Sequence, residues 1–388
     1  MIVWYRYQLP ESNTGLVATQ AERCDTRKFR WYSVPFMKGS SGGDDPASQP
    51  ARPPTVKDVA ERAQVSPMTV SRVLAGGANV RPQLRRRVEH AALELGYRRN
   101  ENARSLRPGH KSGLIGVTIT NIANPYYAEM QGGIEEVAAQ ANRRIIVGNS
   151  NEDPDRERQL VADFIGRRVE GLIVVPADPA HSDHLDSDAL GGTPIVFASR
   201  PVPGLDVDTV LIDDIGGAYE ATSRLLEEGH RQIAFLGTRT SVLTGQRRLQ
   251  GYRNAHRDRN VPVYEHLIRT GQQEAAGAEK ALAELLVHEV PPTAVFSANN
   301  RNTLGAIRAI AKFRSAQSQA TDLRLIGFDW FEFADLSPVP LSIVAHDPRE
   351  LGRRAAQMLL ARIEGDLVRP AETVELPVEL QLEPRGPQ

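Results

Sequence analysis

A single cysteine, Cys24, in 388 residues excludes an internal disulfide framework and fits a reducing compartment. No run of about 18 apolar residues occurs, and the opening "MIVWYRYQLPE" has no apolar stretch of signal-peptide length. These absences predict a soluble cytoplasmic protein that neither spans a membrane nor is exported. Also missing are G-x-G-x-x-G and G-x-x-x-x-G-K-[ST], the usual signals of dinucleotide and nucleotide phosphate binding, and the one G-x-S-x-G match, Gly39 to Gly43, falls in a Gly/Ser-rich stretch rather than after an apolar run, where a hydrolase elbow needs it. The one close histidine pair, His181 and His184 in "HSDH", sits in a polar loop where solvation is the ordinary state. No catalytic residue, metal or cofactor is expected, and the chain does not read as an enzyme.

What is present has the scale of two or three domains, with 40% hydrophobic and 24% charged residues. The net charge of −1 hides an asymmetry. The block from Pro53 to Ser112 carries about +7, the stretch before it about +2, and the remainder about −10. Residues 1–52 stand apart. "KGSSGGDDPASQPARPP" has almost nothing to bury and reads as a disordered lead-in, and the stretch before it shows no sustained period of 2 or 3.6.

Order is expected from "TVKDVAERAQ". Thr55 with Asp58 three residues later forms a capping-box pattern, and Val56, Val59, Ala60 and Ala63 make one apolar stripe. After a short "QVS" turn, Ser66 suits a helix cap and Pro67 the first helical position, where its missing N–H costs nothing. Val70, Val73 and Leu74 face inward, leaving Pro67, Met68, Thr69, Ser71 and Arg72 on or beside the other face. A third helix opens at Pro82, carries Leu84, Val88, Ala91, Ala92 and Leu95 at helical spacing, and ends at Gly96. Three short helices in about 45 residues match the helix-turn-helix layout, whose second helix lies in a major groove. A plain three-helix bundle has no need of the polar second-helix face or of so many arginines.

On this reading Ser66, Thr69 and Ser71 bring the backbone near phosphates. Arg72 suits a bidentate guanine contact worth about 1–3 kcal/mol of discrimination, while Pro67 and Met68 read shape and thymine methyls. Thr55 and Asn79 join the DNA-facing set. The following "RRNENARSLRPGHKSG" has Asn100 as a cap, Ala103 and Leu106 three apart, and Pro108 as a stop. A helix of about seven residues is too short to stand alone in water, where roughly 12–15 are needed. Two copies packed through Ala103 and Leu106 would offer an apolar wedge to a minor groove, with Arg104 and Arg107 on phosphates. The plain alternative is a flexible linker.

Beyond residue 112, short Val- and Ile-rich runs such as "LIGVTIT", "RRIIVGN", "GLIVVPA", "PIVFAS", "TVLID", "QIAFLG", "TAVFSA" and "LRLIGFD" alternate with stretches of helical period. Such alternation means parallel sheets covered on both faces. In open α/β sheets ligands bind beyond the carboxyl ends of strands, here after "TIT", "AS", "LG", "SA" and "GFD".

From "TVKDVAERAQVSPMTVSRVL" through "SGLIGVTITNIANPYYAEM", "PIVFASRPVPGLDVDTVLIDD", "RRLQGYRNA", "PPTAVFSANN" and "LIGFDWFEFADLSP", the chain resembles the lactose-repressor/galactose-repressor family over roughly Thr55 to its end. The resemblance implies an all-α helix-turn-helix headpiece at 53–99 and a hinge helix and linker at 100–112. It also implies an α/β periplasmic-binding-protein-like domain at 113–388, made of two parallel-sheet subdomains. These are placed at about 113–216 with 347–374, and 217–346 with 375–388, the chain crossing between them three times. It further implies effector contacts at Tyr126, Tyr127, Ser199, Arg248, Asn299, Asp329 and Trp330. Arginine, asparagine and aspartate suit adjacent hydroxyls, and tyrosine rings cover an apolar sugar face. The expected effector is a sugar or sugar derivative. The alternative is the same fold answering to a protein partner or a non-sugar metabolite. Family members often carry aspartate where Ser199 stands, and aspartate or asparagine where Trp330 follows Asp329, so a less polar cleft is expected. The function implied is a homodimeric transcriptional repressor on a near-palindromic DNA operator, its affinity set by effector through linkage.

Overall fold

The computed structural model describes residues 52–74, 80–97, 112–316, 323–332, 334–365 and 369–382. The lead-in over 1–51, Asn79 and the hinge residues Asn100, Ala103, Arg104, Leu106 and Arg107 lie outside the described residues. The chain divides into two compact units, residues 1–99 and 100–388.

In the first unit, helices α1 (Val56–Ala63), α2 (Pro67–Leu74) and α3 (Pro82–Glu94) form where local chemistry starts and stops them. The Thr55 side chain accepts from the Asp58 N–H while the Asp58 carboxylate accepts from the Thr55 N–H, a complete capping box. Gln64, left-handed at φ 53°, ends α1, and the chain turns directly into α2. Val59, Ala60, Ala63, Val70, Val73, Val88 and Ala91 meet in one buried cluster. Arg87 of α3 donates to the Ala63 carbonyl at 2.6 Å, closing the open end of α1 with a charge. Arg62 and Glu94 tie α1 to α3 at 2.8 Å.

The second unit is built on two six-stranded sheets. Strands β1 (Leu114–Ile119), β2 (Arg144–Asn149), β3 (Gly171–Val174), β4 (Ile195–Ala198), β5 (Asp208–Ile212) and β11 (Thr373–Leu376) form the first, in the order β11-β5-β4-β3-β1-β2. Strands β6 (Ile233–Leu236), β7 (Ile268–Arg269), β8 (Ala294–Ser297), β9 (Arg324–Phe328), β10 (Leu341–Ala345) and β12 (Glu379–Gln381) form the second, in the order β12-β10-β9-β8-β6-β7. All pairings are parallel except β10 with β12. Only Pro377 and Val378 separate β11 from β12, so the chain runs from one sheet straight onto the antiparallel edge of the other.

Helices α4 (Pro125–Gln140), α5 (Pro154–Gly166) and α10 (Pro348–Ile363) pack on the first sheet. Helices α6 (Asp214–Glu227), α7 (Leu243–Asp258), α8 (Ala275–Leu286) and α9 (Asn300–Ala316) accompany the second. The chain therefore crosses between sheets before α6, before α10 and between β11 and β12. The tightest helix contact is α4 on α10. A Cβ on Gly133 would run into the Arg349 carbonyl oxygen, and one on Gly352 into that of Met130. Glycine at both positions lets the two backbones touch.

Gly133→Ala is expected to force α4 off α10 and lose about 1–3 kcal/mol of stability in urea unfolding. Gly166→Ala, with nothing within 4 Å of its new Cβ, should stay within about 1 kcal/mol of the parent. Equal losses at the two positions would show that helix contact is not what excludes a side chain at Gly133.

Candidate functional site

Two surfaces carry the side chains singled out from the sequence, one in each unit. In the first, Ser66 accepts from the Thr69 N–H at 3.2 Å and shares a hydrogen bond with the Thr69 hydroxyl at 2.9 Å, so the cap is made. Ser66, Pro67, Met68 and Arg72 are exposed, Met68 at 71%, and Thr69 and Ser71 are half-buried. Arg72 has no ion pair among the described residues. An exposed methionine beside an unpaired arginine on a two-turn helix is an unusual surface for a monomer, and it fits a groove with an apolar floor and acidic walls. The Thr55 hydroxyl is engaged by Asp58 at 2.7 Å and holds that carboxyl below its usual range.

In the second unit, a cavity of about 290 Å³ opens between the carboxyl ends of the two sheets. That is near the lower end of the roughly 300–1,000 Å³ typical of small-molecule sites, so it suits a compact ligand. From the first sheet come Thr120 and Asn121 after β1, Asn151 and Glu152 after β2, and Ser199 and Arg200 after β4. From the second come Thr238 after β6, Gln273 and Glu274 after β7, Asn299 after β8 and Asp329 after β9. Tyr126 and Tyr127, on the first turn of α4, face the same space. Their rings lie edge to face, 5.1 Å apart.

Arg248 of α7 forms the floor. Its Nε donates to Asp214 Oδ1 at 2.8 Å, and its Nη1 to Asp329 Oδ2 at 2.9 Å and the Ala298 carbonyl at 2.6 Å. Its Nη2 donates to Asp329 Oδ1 at 3.2 Å. The guanidinium also lies 3.7 Å above the Phe328 ring centre. Burial works against its charge, but Asp329 and Asp214 outweigh it and hold the proton more firmly than usual. Asp214 shares Arg248 with Asp329 and has Arg247 Nε 3.6 Å from its other oxygen, yet burial pushes its carboxyl up to about 6 despite Arg248 and Arg247. On the opposite wall Arg200 makes a two-pronged pair with Glu152 at 2.7 and 2.8 Å and reaches the Pro176 carbonyl. The Tyr126 hydroxyl meets Ser199 Oγ at 3.0 Å, and Tyr127 meets Thr120 at 2.6 Å. Burial raises both phenols out of reach of neutral-pH ionisation. Ser199 and Asp329 both hold left-handed backbone at φ 64° and 67°, strained for residues with side chains.

Six of the seven residues expected around a ligand thus line one cavity: Tyr126, Tyr127, Ser199, Arg248, Asn299 and Asp329. Asn299 divides its role, since its Oδ1 accepts from the Asn302 N–H at 2.8 Å and caps α9. Trp330 is not among the lining residues. Its ring is half in solvent at 51% exposure, because the left-handed turn at Asp329 aims the carboxylate inward and the next residue outward. Trp330 is therefore corrected as a lining residue and adds no apolar surface to the cleft, whose wall is made mainly of amides, hydroxyls and paired charges. Sequence reasoning missed Glu152, Arg200, Asp214, Glu274 and Arg301. The rule about strand ends pointed to the segment that holds Arg200 without naming it, whereas Glu152 and Glu274 follow β2 and β7, whose ends were not marked, and nothing local marks Asp214.

Residues 112–379 match the family of periplasmic binding proteins and the sugar-binding domain of the LacI family, and residues 55–100 match the lacI family of bacterial regulatory proteins. Catabolite control protein A of Priestia megaterium is 31% identical over 328 residues, covering 84% of this chain and 97% of its own. The lac repressor dimer bound to operator and the anti-inducer ONPF superposes with a TM-score of 0.72 at 27% identity, over 85% of this chain and 98% of its own. The transcriptional regulator CelR in complex with cellobiose superposes with a TM-score of 0.63 at 27% identity, over 85% and 98%.

Arg248→Met is expected to cost about 3–5 kcal/mol at pH 7, because it takes the guanidinium from Asp329 and leaves buried Asp214 with only Arg247 at 3.6 Å. Asp214 binds its proton more tightly in the folded chain, at about 6, than at its ordinary 3.8. The stability this supplies is complete below 3.8 and is lost as pH rises through about 6. Urea unfolding of Arg248→Met should therefore show a smaller loss at pH 5 than at pH 7. A loss independent of pH would contradict the shared-cation account.

Proposed function

Because the chain belongs to the lacI family of bacterial regulatory proteins, we propose that it is a DNA-binding transcriptional repressor controlled by a small neutral sugar or sugar derivative in the cleft. The observation that carries this reading is that one chain holds both a groove-sized helix with an exposed arginine and a polar, ligand-sized cleft at strand ends. The headpiece is residues 53–99, the hinge 100–112 and the effector domain 113–388. Within the latter, the halves are about 113–216 with 347–374, and 217–346 with 375–388. Exposed Met68 and Arg72 read base edges, with Ser66, Thr69 and Ser71 on phosphates. In the hinge, Asn100, Ala103, Arg104, Leu106 and Arg107 hold the central minor groove when two copies pair.

The cleft favours a neutral ligand because each of its guanidiniums already has a carboxylate: Arg248 with Asp329, Arg200 with Glu152 and Arg301 with Glu274. Amides and hydroxyls remain to meet sugar hydroxyls, with Tyr126 against an apolar face. A homodimer is supported by a separate apolar cavity of about 440 Å³ walled by Pro125, Leu304, Ile307, Phe331, Leu336 and Pro338. Leu336 there is 70% exposed, a surface that suits a second copy of the chain. A cytoplasmic location follows from DNA as partner, and no helix among the described residues is long and apolar enough to cross a membrane.

Selection of duplexes from a random pool by the full chain at low salt tests the reading, and near-palindromic winners are expected. Arg72→Ala should then relax preference at one base step by about 1–3 kcal/mol. Arg107→Ala should weaken all sequences alike and lower the salt slope by about one. Failure to enrich any duplex, or an Arg72→Ala variant with unaltered preference, would count against the headpiece roles. A thermal-shift screen of neutral sugars tests the cleft separately, and no stabilisation by any of them would favour control by another ligand.

A further inference from the structure

His346 lies on the second crossover, between β10 and α10, where the chain passes from one sheet to the other. Its side chain is only 1% exposed, yet neither ring nitrogen has a hydrogen-bond partner among the described residues. Buried polar atoms are nearly always paired, so two orphans on one ring call for a partner in another state of the molecule. Nδ1 stands 3.8 Å from Asp329 Oδ1, too far for a hydrogen bond and about 1 Å from making one. That oxygen is the less occupied of the pair: Arg248 reaches it at 3.2 Å, against 2.9 Å to Oδ2. On its cleft side the imidazole rests against the Tyr126 ring, 5.6 Å between centres.

Behind the ring is a third cavity of about 530 Å³, lined by Ala345 at the end of β10, His346 and Asp347 of this crossover, Pro377 and Val378 of the third crossover, and Glu379 at the start of β12. Crossovers are the segments that absorb backbone change when two halves of a cleft move. The cavity gives them room to do so without breaking a packed core. His346 is thus a wall between the hinge and the carboxylate at the cleft floor.

We infer that His346 is a positioning residue for Asp329: its imidazolium pairs with Asp329 Oδ1 in one state of the hinge, and its neutral ring leaves that carboxylate to Arg248 in the other. The groups facing it come from every element around it. Asp329 after β9 and Asp347 at the start of α10 favour the proton and Arg248 of α7 opposes it; Glu379 of β12 shares the lining of the cavity behind the ring, and the Tyr126 ring of α4 closes the cleft side. Burial holds the proton affinity below the ordinary level, with Asp329 working against burial. A ring so shifted is neutral near neutral pH, the form for which the inference assigns the open contact of 3.8 Å. Acidification would close it and draw Asp329 away from a cleft ligand. The consequence for effector binding rests on the reading of the cleft proposed above, whereas the proton-linked contact can be tested without any ligand.

The test follows the Cε1 resonances of 13C-histidine in the full chain against pH, with the His346 signal identified by its loss in His346→Gln. A midpoint below 6.5 is expected. Asp329→Asn should lower it by at least about one unit, a tenfold loss of proton affinity. An unmoved midpoint, or a ring that never titrates before acid unfolding, overturns the inference. Should Asp329→Asn fail to fold, Trp330 emission in a Trp4→Phe, Trp31→Phe background supplies the second measurement. A step at the His346 midpoint that disappears in His346→Gln supports the inference; no step, or one that survives that substitution, overturns it. None of these failures touches the effector reading, which falls instead on the sugar screen.

Discussion

A guanidinium buried between two carboxylates is the constraint on which the larger unit depends. Arg248 joins the start of α6 through Asp214, the end of β8 through the Ala298 carbonyl and the end of β9 through Asp329, while stacking on Phe328. Taking such a cation out of water is costly unless each donor finds an acceptor, and here Nε, Nη1 and Nη2 all do. The same bonds fix the strand ends that make the cleft floor. They also fix the first crossover, because Asp213 caps α6 by accepting from the Gly216 N–H at 2.7 Å, immediately beside Asp214. Ligand chemistry and hinge geometry thus share one set of interactions.

The opposite wall has its own set of contacts, with Arg200 on Glu152 and Tyr126 on Ser199. Across the mouth the halves meet through few polar contacts. Asn300 donates to Asn124 at 2.8 Å, and Asn121 reaches Glu274 at 3.5 Å. Three crossovers and a mouth with few polar contacts are the ingredients of a hinge, and the proposed effector would act by contacting both walls.

How much of this was legible in the sequence follows the distance over which each feature is decided. The capping box at Thr55 and the Ser66–Pro67 start of α2 are settled within four residues, and both read correctly. The eight Val- and Ile-rich strands were legible because burial on both faces leaves continuous apolar runs. Four strands escaped notice, and one of them, β10, did so although it is five residues long and buried along most of its length. β7 has two residues, and β11 and β12 alternate exposed with partly buried positions at sheet edges, so pairing rather than composition creates them. At the site, the family resemblance named Asp329 and Ser199, and the rule about strand ends marked the same segments. Adjacency in sequence misplaced Trp330, because one left-handed residue reverses the direction of the next. Asp214 and Glu152 were invisible for another reason: their partners lie 34 and 48 residues away, and only the fold brings the charges together.

The central claim is that the cleft and the groove-reading helix act on each other through one chain. The most direct test is a closed binding cycle on the full chain. It compares affinity for a selected duplex with and without the sugar that stabilises the protein, and affinity for that sugar with and without the duplex. The account predicts two equal ratios, each of roughly 5- to 150-fold. A sugar that binds tightly and leaves duplex affinity unchanged would contradict it.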